Sequence, residues 1–255
     1  MKWDVFSEII TEYWPMFLRG ARNTLVISII GTILGAIIGL LIGVIRTIPT
    51  PKHVIGKTLI KIVNIILTVY IEVFRGTPMI VQAMIIYYGS LKLLGIDMNV
   101  MFAGIFIVSI NTGAYTAEIV RGGIISIDKG QFEAAHAIGM NHIKTMIYVV
   151  LPQVIRNILP AIGNEFVINI KDTSVLNVIA VTELFYATKS INGMMFTFYE
   201  PFLVACAIYL VMTLSVTRIL RFIERRLDGP DSYNIIPGNQ MQVARPEDML
   251  KSQQK

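Results

Sequence analysis

Glu165 is the one charged residue between Asn157 and Ile170, inside a largely apolar run. A carboxylate at membrane depth costs several kcal/mol, or is forced to take up a proton, unless it has a partner. Such residues usually serve function. Helical spacing places Asn157, Ala161, Asn164, Glu165, Ile168 and Asp172 on one broad face. Two roles fit the carboxylate. It can meet the ammonium or cationic side chain of a small solute, or it can form an internal pair with Lys171 or Arg75. Asn111, Tyr115 and Glu118 share a face of a second apolar run, and Gln82 and Tyr87 lie on a third. For each of these alone, hydrogen bonding between helices is the plainer reading, with ligand contact as the alternative.

Covalent and metal chemistry find no support. His53, His136 and His142 show no ligand spacing with Cys or carboxylates, and Cys206 is the single cysteine. No H-E-x-x-H or paired acid set of an intramembrane enzyme is visible. No G-x-x-x-x-G-K-[ST] occurs, so the chain should neither bind nor hydrolyse ATP.

The elements that must hold these polar groups are apolar helices. The 255 residues are 54% hydrophobic and only 15% charged, with mean hydropathy +0.64. Soluble domains run near a quarter charged. Thr24 to Ile45 carries no charge and would reach ~33 Å as a helix, enough to cross the hydrocarbon core. Met98–Ala117 and Pro201–Thr217 are two further clean spans. Ile62 to Leu91 holds Glu72 and Arg75, with Lys57 and Lys61 before it. It reads as an amphipathic start, a kink at Gly76-Thr77-Pro78 and a run to Tyr88, or else as two spans. Val154 to Val181, rich in Asn and carrying Pro160, cannot face lipid all round and belongs inside a bundle. The expected fold is therefore all-α: a polytopic membrane bundle of about five transmembrane helices. Gly31, Gly35, Gly39 and Gly43, four apart, permit close approach of another helix. We read this ridge as packing within the subunit rather than as a seam between subunits.

Lys and Arg set orientation. Arg46, Lys52 and Lys57 follow the first span; Arg121, Lys129, Lys144 and Arg156 flank the third and fourth; seven more follow the fifth. Lys92 and Lys189 lie opposite. Five spans with the N-terminus outside put every basic loop in the cytoplasm, whereas six would strand the first. The net charge of +5 thus reads as inward-facing loops, not as a nucleic-acid surface. The start, with Asp4, Glu8 and Glu12, lacks the pattern of a cleaved signal, so the first span is expected to be retained. The expected organisation is an extracytoplasmic segment 1–20, a membrane domain 21–228 and a polar cytoplasmic tail 229–255, disordered by composition.

One cytoplasmic stretch, EAAHAIGMNHIKTMIYVVLPQ, has a spacing of its own. Phe132 to Ile138 can form a short helix that Gly139 breaks, since glycine tolerates a left-handed turn. Asn141 can cap a second helix to Val150, and Pro152 restarts the chain into the membrane. Ala134, Ala135 and Ile138 at helical spacing make a ligand for a groove. An amphipathic helix on lipid explains the apolar face, though not the spacing to Gly139 and Leu151-Pro152.

That stretch, residues 129–152, resembles the cytoplasmic EAA loop of membrane permeases of ABC importers. Arg75-Gly76-Thr77-Pro78, Ala114 to Ile124, Gly163-Asn164-Glu165-Phe166 and Lys171 to Ser174 look like the polar amino-acid branch of these permeases. The resemblance covers roughly residues 20–228. It implies a type I importer transmembrane domain in the cell (inner) membrane, with Glu133, Ala134, Ala135, Ile138 and Gly139 coupling to an ABC ATPase dimer. It implies a second permease subunit, identical or not, an extracytoplasmic solute-binding protein, and a polar amino-acid substrate such as glutamine or a basic amino acid. Glu165, Asn164, Asn111, Gln82, Tyr115 and Glu118 are the expected pathway residues. No cofactor is expected on this chain, because the partner uses the ATP. The competing function is an ion-coupled secondary transporter, which leaves the EAA loop without a purpose.

Overall fold

The computed structural model describes residues 3–51 and 53–228; the tail 229–255 lies outside the described residues. The described residues are mostly helical, with no strand among them. Five helical stretches there are long and apolar enough to cross a membrane: Phe6–Ile45, Val54–Gly76, Val100–Ile125, His142–Ile179 and Tyr199–Arg226.

Helix α1 runs from Trp3 to Ile45. At ~1.5 Å per residue its 43 residues span about twice the thickness of a hydrocarbon core. The helix thus begins a full 21 residues' worth of sequence before Thr24. Ile9, Phe17 and Ala21 recur on one face and are buried with Ile191, Val204 and Ala205. That seam, rather than hydropathy, carries the helix through the charged first turns.

Helices α2 (Val54–Gly76) and α3 (Met79–Leu94) are separated at Thr77-Pro78. Proline has no N–H to continue the ladder and forces Thr77 into an extended conformation. The expected kink is therefore a break between a spanning helix and a shorter apolar one. Helix α4 (Val100–Ile125) is the central element and the most buried of the five spans. Asn99 caps it, its side-chain oxygen accepting from the N–H of Met101 at 3.0 Å.

The glycine ridge of α1 lies on α4. A Cβ on Gly31, Gly35, Gly39 or Gly43 would sit 2.5–2.6 Å from a side-chain carbon of Val108, Thr112, Thr116 or Val120. The four glycines thus close the pair within one chain.

Helix α5 (Lys129–Ala137) is followed by α6 (His142–Thr145), a π turn (Met146–Val150) and α7 (Leu151–Asp172). The expected restart at Pro152 is a helix that changes pitch without breaking. Pro152 cannot donate to the carbonyl four residues back, and the ladder shifts by one, with the Leu151 N–H bonding the Met146 carbonyl. Gln153 Nε2 supplies a further donor to the Val149 carbonyl at 2.7 Å. A 3-10 segment (Thr173–Ile179) leads to α8 (Leu184–Met195), absent from the sequence reading, and then to α9 (Tyr199–Asp228).

Candidate functional site

Two regions gather the polar residues, one along the spans and one at their basic end. Along the spans, Gln82 is buried beside the α2–α3 break. Its Nε2 donates to the carbonyls of Phe74 and Thr77, each at 2.9 Å, and so satisfies the Phe74 acceptor that Pro78 leaves unpaired and the Thr77 carbonyl at the break. Its Oε1 accepts from Asn111 Nδ2 at 2.9 Å. One turn on, Tyr115 lies beneath the Arg75 guanidinium, 5.5 Å from ring centroid to Cζ. Glu118, a further turn along, is bonded by Arg46 and by Arg121. Arg46 also donates to Thr68 Oγ1 at 3.5 Å. Asn111, Tyr115 and Glu118 therefore do share a face, and that face meets α2.

Glu165 stands apart from this set on α7. It is half-buried and Asn164 beside it is exposed. Neither Lys171 nor Arg75 forms an ion pair with it among the described residues, where the ion pairs are those of Glu118. Arg75 and Asp172 are the charges whose fields reach it.

Two polar residues escaped the sequence reading as site residues. Asn169 is buried, donating to Thr32 Oγ1 at 2.8 Å and to Thr112 Oγ1 at 3.0 Å, which ties α1, α4 and α7 together. Glu183, fully buried, caps α8. Its carboxylate accepts from the N–H groups of Phe185 and Tyr186 at 2.8 and 2.6 Å and from the Tyr209 hydroxyl at 3.0 Å. Burial pushes its carboxyl above the usual range, against the pull of these three donors. No capping rule marks Glu183 in the sequence, since Ser, Thr, Asp and Asn are the preferred N-cap types; its one signal is a carboxylate opening an apolar segment.

At the other end, the C-termini of α1 and α4 meet α5 and α6. Arg46, Arg121, Lys129 and His142 line one cavity of about 360 Å³ with Phe132 and Met146. Asp128 caps α5 through a bond from the Gly130 N–H, 2.6 Å long. The helix ends just before Gly139, which has φ +85°, and the Gly139 and Met140 N–H groups bond back to the His136 and Ala135 carbonyls at 2.9 and 3.0 Å. Asn141 caps the next turn, accepting from the Lys144 N–H at 2.9 Å. The grouped residues divide here. Ala135 is buried, because α5 lies on the π turn through that side. Glu133, Ala134 and Gly139 are exposed, and Ile138 is 79% exposed. Ile143, Ile147 and Tyr148 are exposed apolar neighbours in sequence.

The sequence matches known proteins over most of its length. Residues 55–229 match the family described as binding-protein-dependent transport system inner membrane component. The glutamine transport system permease protein GlnP of Escherichia coli (strain K12) is 40% identical over 215 residues, 84% of this chain and 93% of that protein. The arginine transport system permease protein ArtQ of Bacillus subtilis (strain 168) is 39% identical over 162 residues, 64% of this chain and 74% of that protein. Among solved structures, that of an amino acid ABC transporter with histidines aligns with TM-score 0.73 at 37% identity, covering 85% of this chain and 96% of that one. The inward-facing MetNI methionine ABC transporter aligns with TM-score 0.69 at 18% identity, over 83% of this chain and 96% of that one, a likeness of fold alone. With its five spanning helices and its short capped helix at their basic end, this chain belongs to the family of inner-membrane components of binding-protein-dependent transport systems, the permeases of ABC importers.

Proposed function

We propose that this chain is the permease subunit of an ATP-driven importer of a polar amino acid, glutamine or a basic amino acid. An extracytoplasmic solute-binding protein delivers the substrate. A second permease, identical or not, completes the pathway across the cell membrane, and a dimer of ABC ATPases grips the α5 loop. The observation that carries this reading is that loop: a short helix capped at both ends, with Ala134 and Ile138 turned outward. A rigid protruding helix with apolar outer residues suits a groove on a soluble partner. The relatives named for glutamine and arginine transport support the amino-acid class.

The mechanism is conformational. ATP closes the partner dimer, α5 carries the displacement through Phe132 and the Met146–Val150–Val154 cluster into α7, and the central site opens to the other side. The site must bind substrate differently in the two states. Within it we assign Glu165 to the substrate's ammonium or cationic side chain, since its carboxylate has no ion pair among the described residues. Asn164, Asn111, Gln82, Tyr115 and Glu118 line or brace the path.

The test is Gly139→Val in the assembled transporter. A β-branched residue at φ +85° costs on the order of 1–3 kcal/mol and distorts the turn, not the spans. A Cβ there meets nothing within 4 Å, so packing stays intact. We expect normal membrane insertion with loss of ATPase co-purification and of uptake. Normal co-purification and uptake would remove the loop from the coupling role.

A further inference from the structure

Helix α2 carries a second polar feature that the pathway residues above do not include. At ~100° per residue, Lys57, Lys61, Asn64, Thr68, Glu72 and Arg75 fall within about a quarter of its circumference. They form one stripe along the length of an otherwise apolar span. Lys57, Lys61, Glu72 and Arg75 are exposed, and Asn64 and Thr68 half-buried. The packing side of α2 is a different one: Ile71, Leu67 and Tyr70 join Ile42, Ala117 and Ile38 in a small core. Ile66 and Val73 point another way again and are 61% and 50% exposed. The helix thus has three sides, for packing, for an apolar surround and for something polar.

The polar side cannot lie against lipid. Six polar residues, four of them ionisable, would be carried into hydrocarbon along its length. Glu72 has no ion pair among the described residues. Nor does the stripe stand alone. Arg75 covers Tyr115, and Thr68 is bonded by Arg46, which holds Glu118. The stripe therefore runs alongside the polar face of α4. Along its cytoplasmic part, Thr50, Lys57, Lys61, Asn64 and Thr68 line a groove of about 430 Å³ together with Ile60, Ile65 and Val69. Asn64 Oδ1 is buried without a hydrogen-bond donor among the described residues. The volume falls within the range of small-molecule pockets.

We propose that this stripe of α2, from Arg75 to Lys57, walls the substrate path as it runs to the cytoplasm, and that Lys57 and Lys61 at its mouth draw the carboxylate of the departing amino acid. This rests on the importer function proposed above. A zwitterion leaving an acidic central site, Glu165, by way of a cationic mouth meets its two charges in sequence. The attraction at the mouth is between solvated charges, weak enough for release.

The experiment uses the full transporter with its ATPase in inside-out vesicles. Cys206→Ser removes the one native thiol. Asn64→Cys and Thr68→Cys sample the stripe; Ile66→Cys and Val73→Cys sample the apolar side. A charged methanethiosulfonate reagent is applied from the cytoplasmic face. The stripe thiols should react about tenfold faster or more, because the reactive thiolate forms in water and not against lipid. Saturating glutamine or arginine should slow the stripe reactions alone. Equal rates on the two sides, or stripe thiols that resist the reagent and cross-link two copies of the chain, would overturn the path and make the stripe a contact between subunits. The Cys206→Ser parent is assayed for glutamine and arginine uptake in parallel. A parent that imports neither these nor another basic amino acid defeats the proposed function; a parent that imports while its stripe variants label indifferently defeats only the path.

Discussion

Glu165 and Glu118 are both carboxylates within spanning helices, and their surroundings separate their roles. Glu118 sits between two guanidiniums, so its charge is answered within the chain. Glu165 meets no such partner among the described residues and keeps an exposed Asn164 beside it. Glu165→Gln should therefore cost transport rather than stability. We expect substrate-stimulated uptake to fall at least about tenfold, the weight of one charge-assisted contact, with assembly, basal ATPase and melting temperature kept. A fall in melting temperature that removal of Arg75 or Lys171 repairs would instead mark a structural pair. The isolation of Glu165 was legible in sequence because it is local: one charge in an apolar stretch. The environments of Glu118 and Asn169 were not. Their partners lie 72 residues away for Arg46, and 57 and 137 for Thr112 and Thr32. No spacing rule reaches across such separations.

Elements were legible where one period dominates. The spans α4 and α9, and the α1 glycine ridge, follow from hydropathy and four-residue spacing. The early start of α1 did not, since Asp4, Glu8 and Glu12 mask the buried positions Ile9 and Phe17. Helix α8 escaped because it is too short to span and is held by Glu183 and by α1, where the Leu184 N–H bonds Thr24 Oγ1 at 3.2 Å. The π turn before Pro152 shows the same limit: proline predicts an interruption, and the ladder absorbs it by changing pitch. The ridge gives a sharp expectation at this scale. A Cβ at Gly39 would lie 2.5 Å from Thr116 Cβ and 2.7 Å from the Ala117 backbone nitrogen. Gly39→Leu should force α1 off α4, costing about 1–3 kcal/mol or more by overpacking. In detergent this appears as a lower melting temperature and more proteolysis of the α1–α2 loop. An unchanged melting temperature would mean that the two helices do not pack as closely as described.

The molecule as a whole is a bundle with one basic end, where Arg46, Arg121, Lys129 and His142 converge beside the α5 loop. Charge thus agrees with the five spans in placing that end inside. A reporter fused after Lys52 should read cytoplasmic, and an external signal there would revive six spans. The family's architecture was legible from the EAA spacing together with the apolar runs, whereas the face on which α2 meets α4 needed three dimensions. The central claim is that ATP, not an ion gradient, drives this permease. Uptake of labelled glutamine and arginine into proteoliposomes tests it most directly, with the permease, its ATPase and the binding protein reconstituted and ionophores present. The account predicts uptake that requires ATP on the side of the α5 loop and persists when proton and sodium gradients are collapsed. Uptake by the permease alone, abolished by the ionophores and indifferent to ATP, would contradict it.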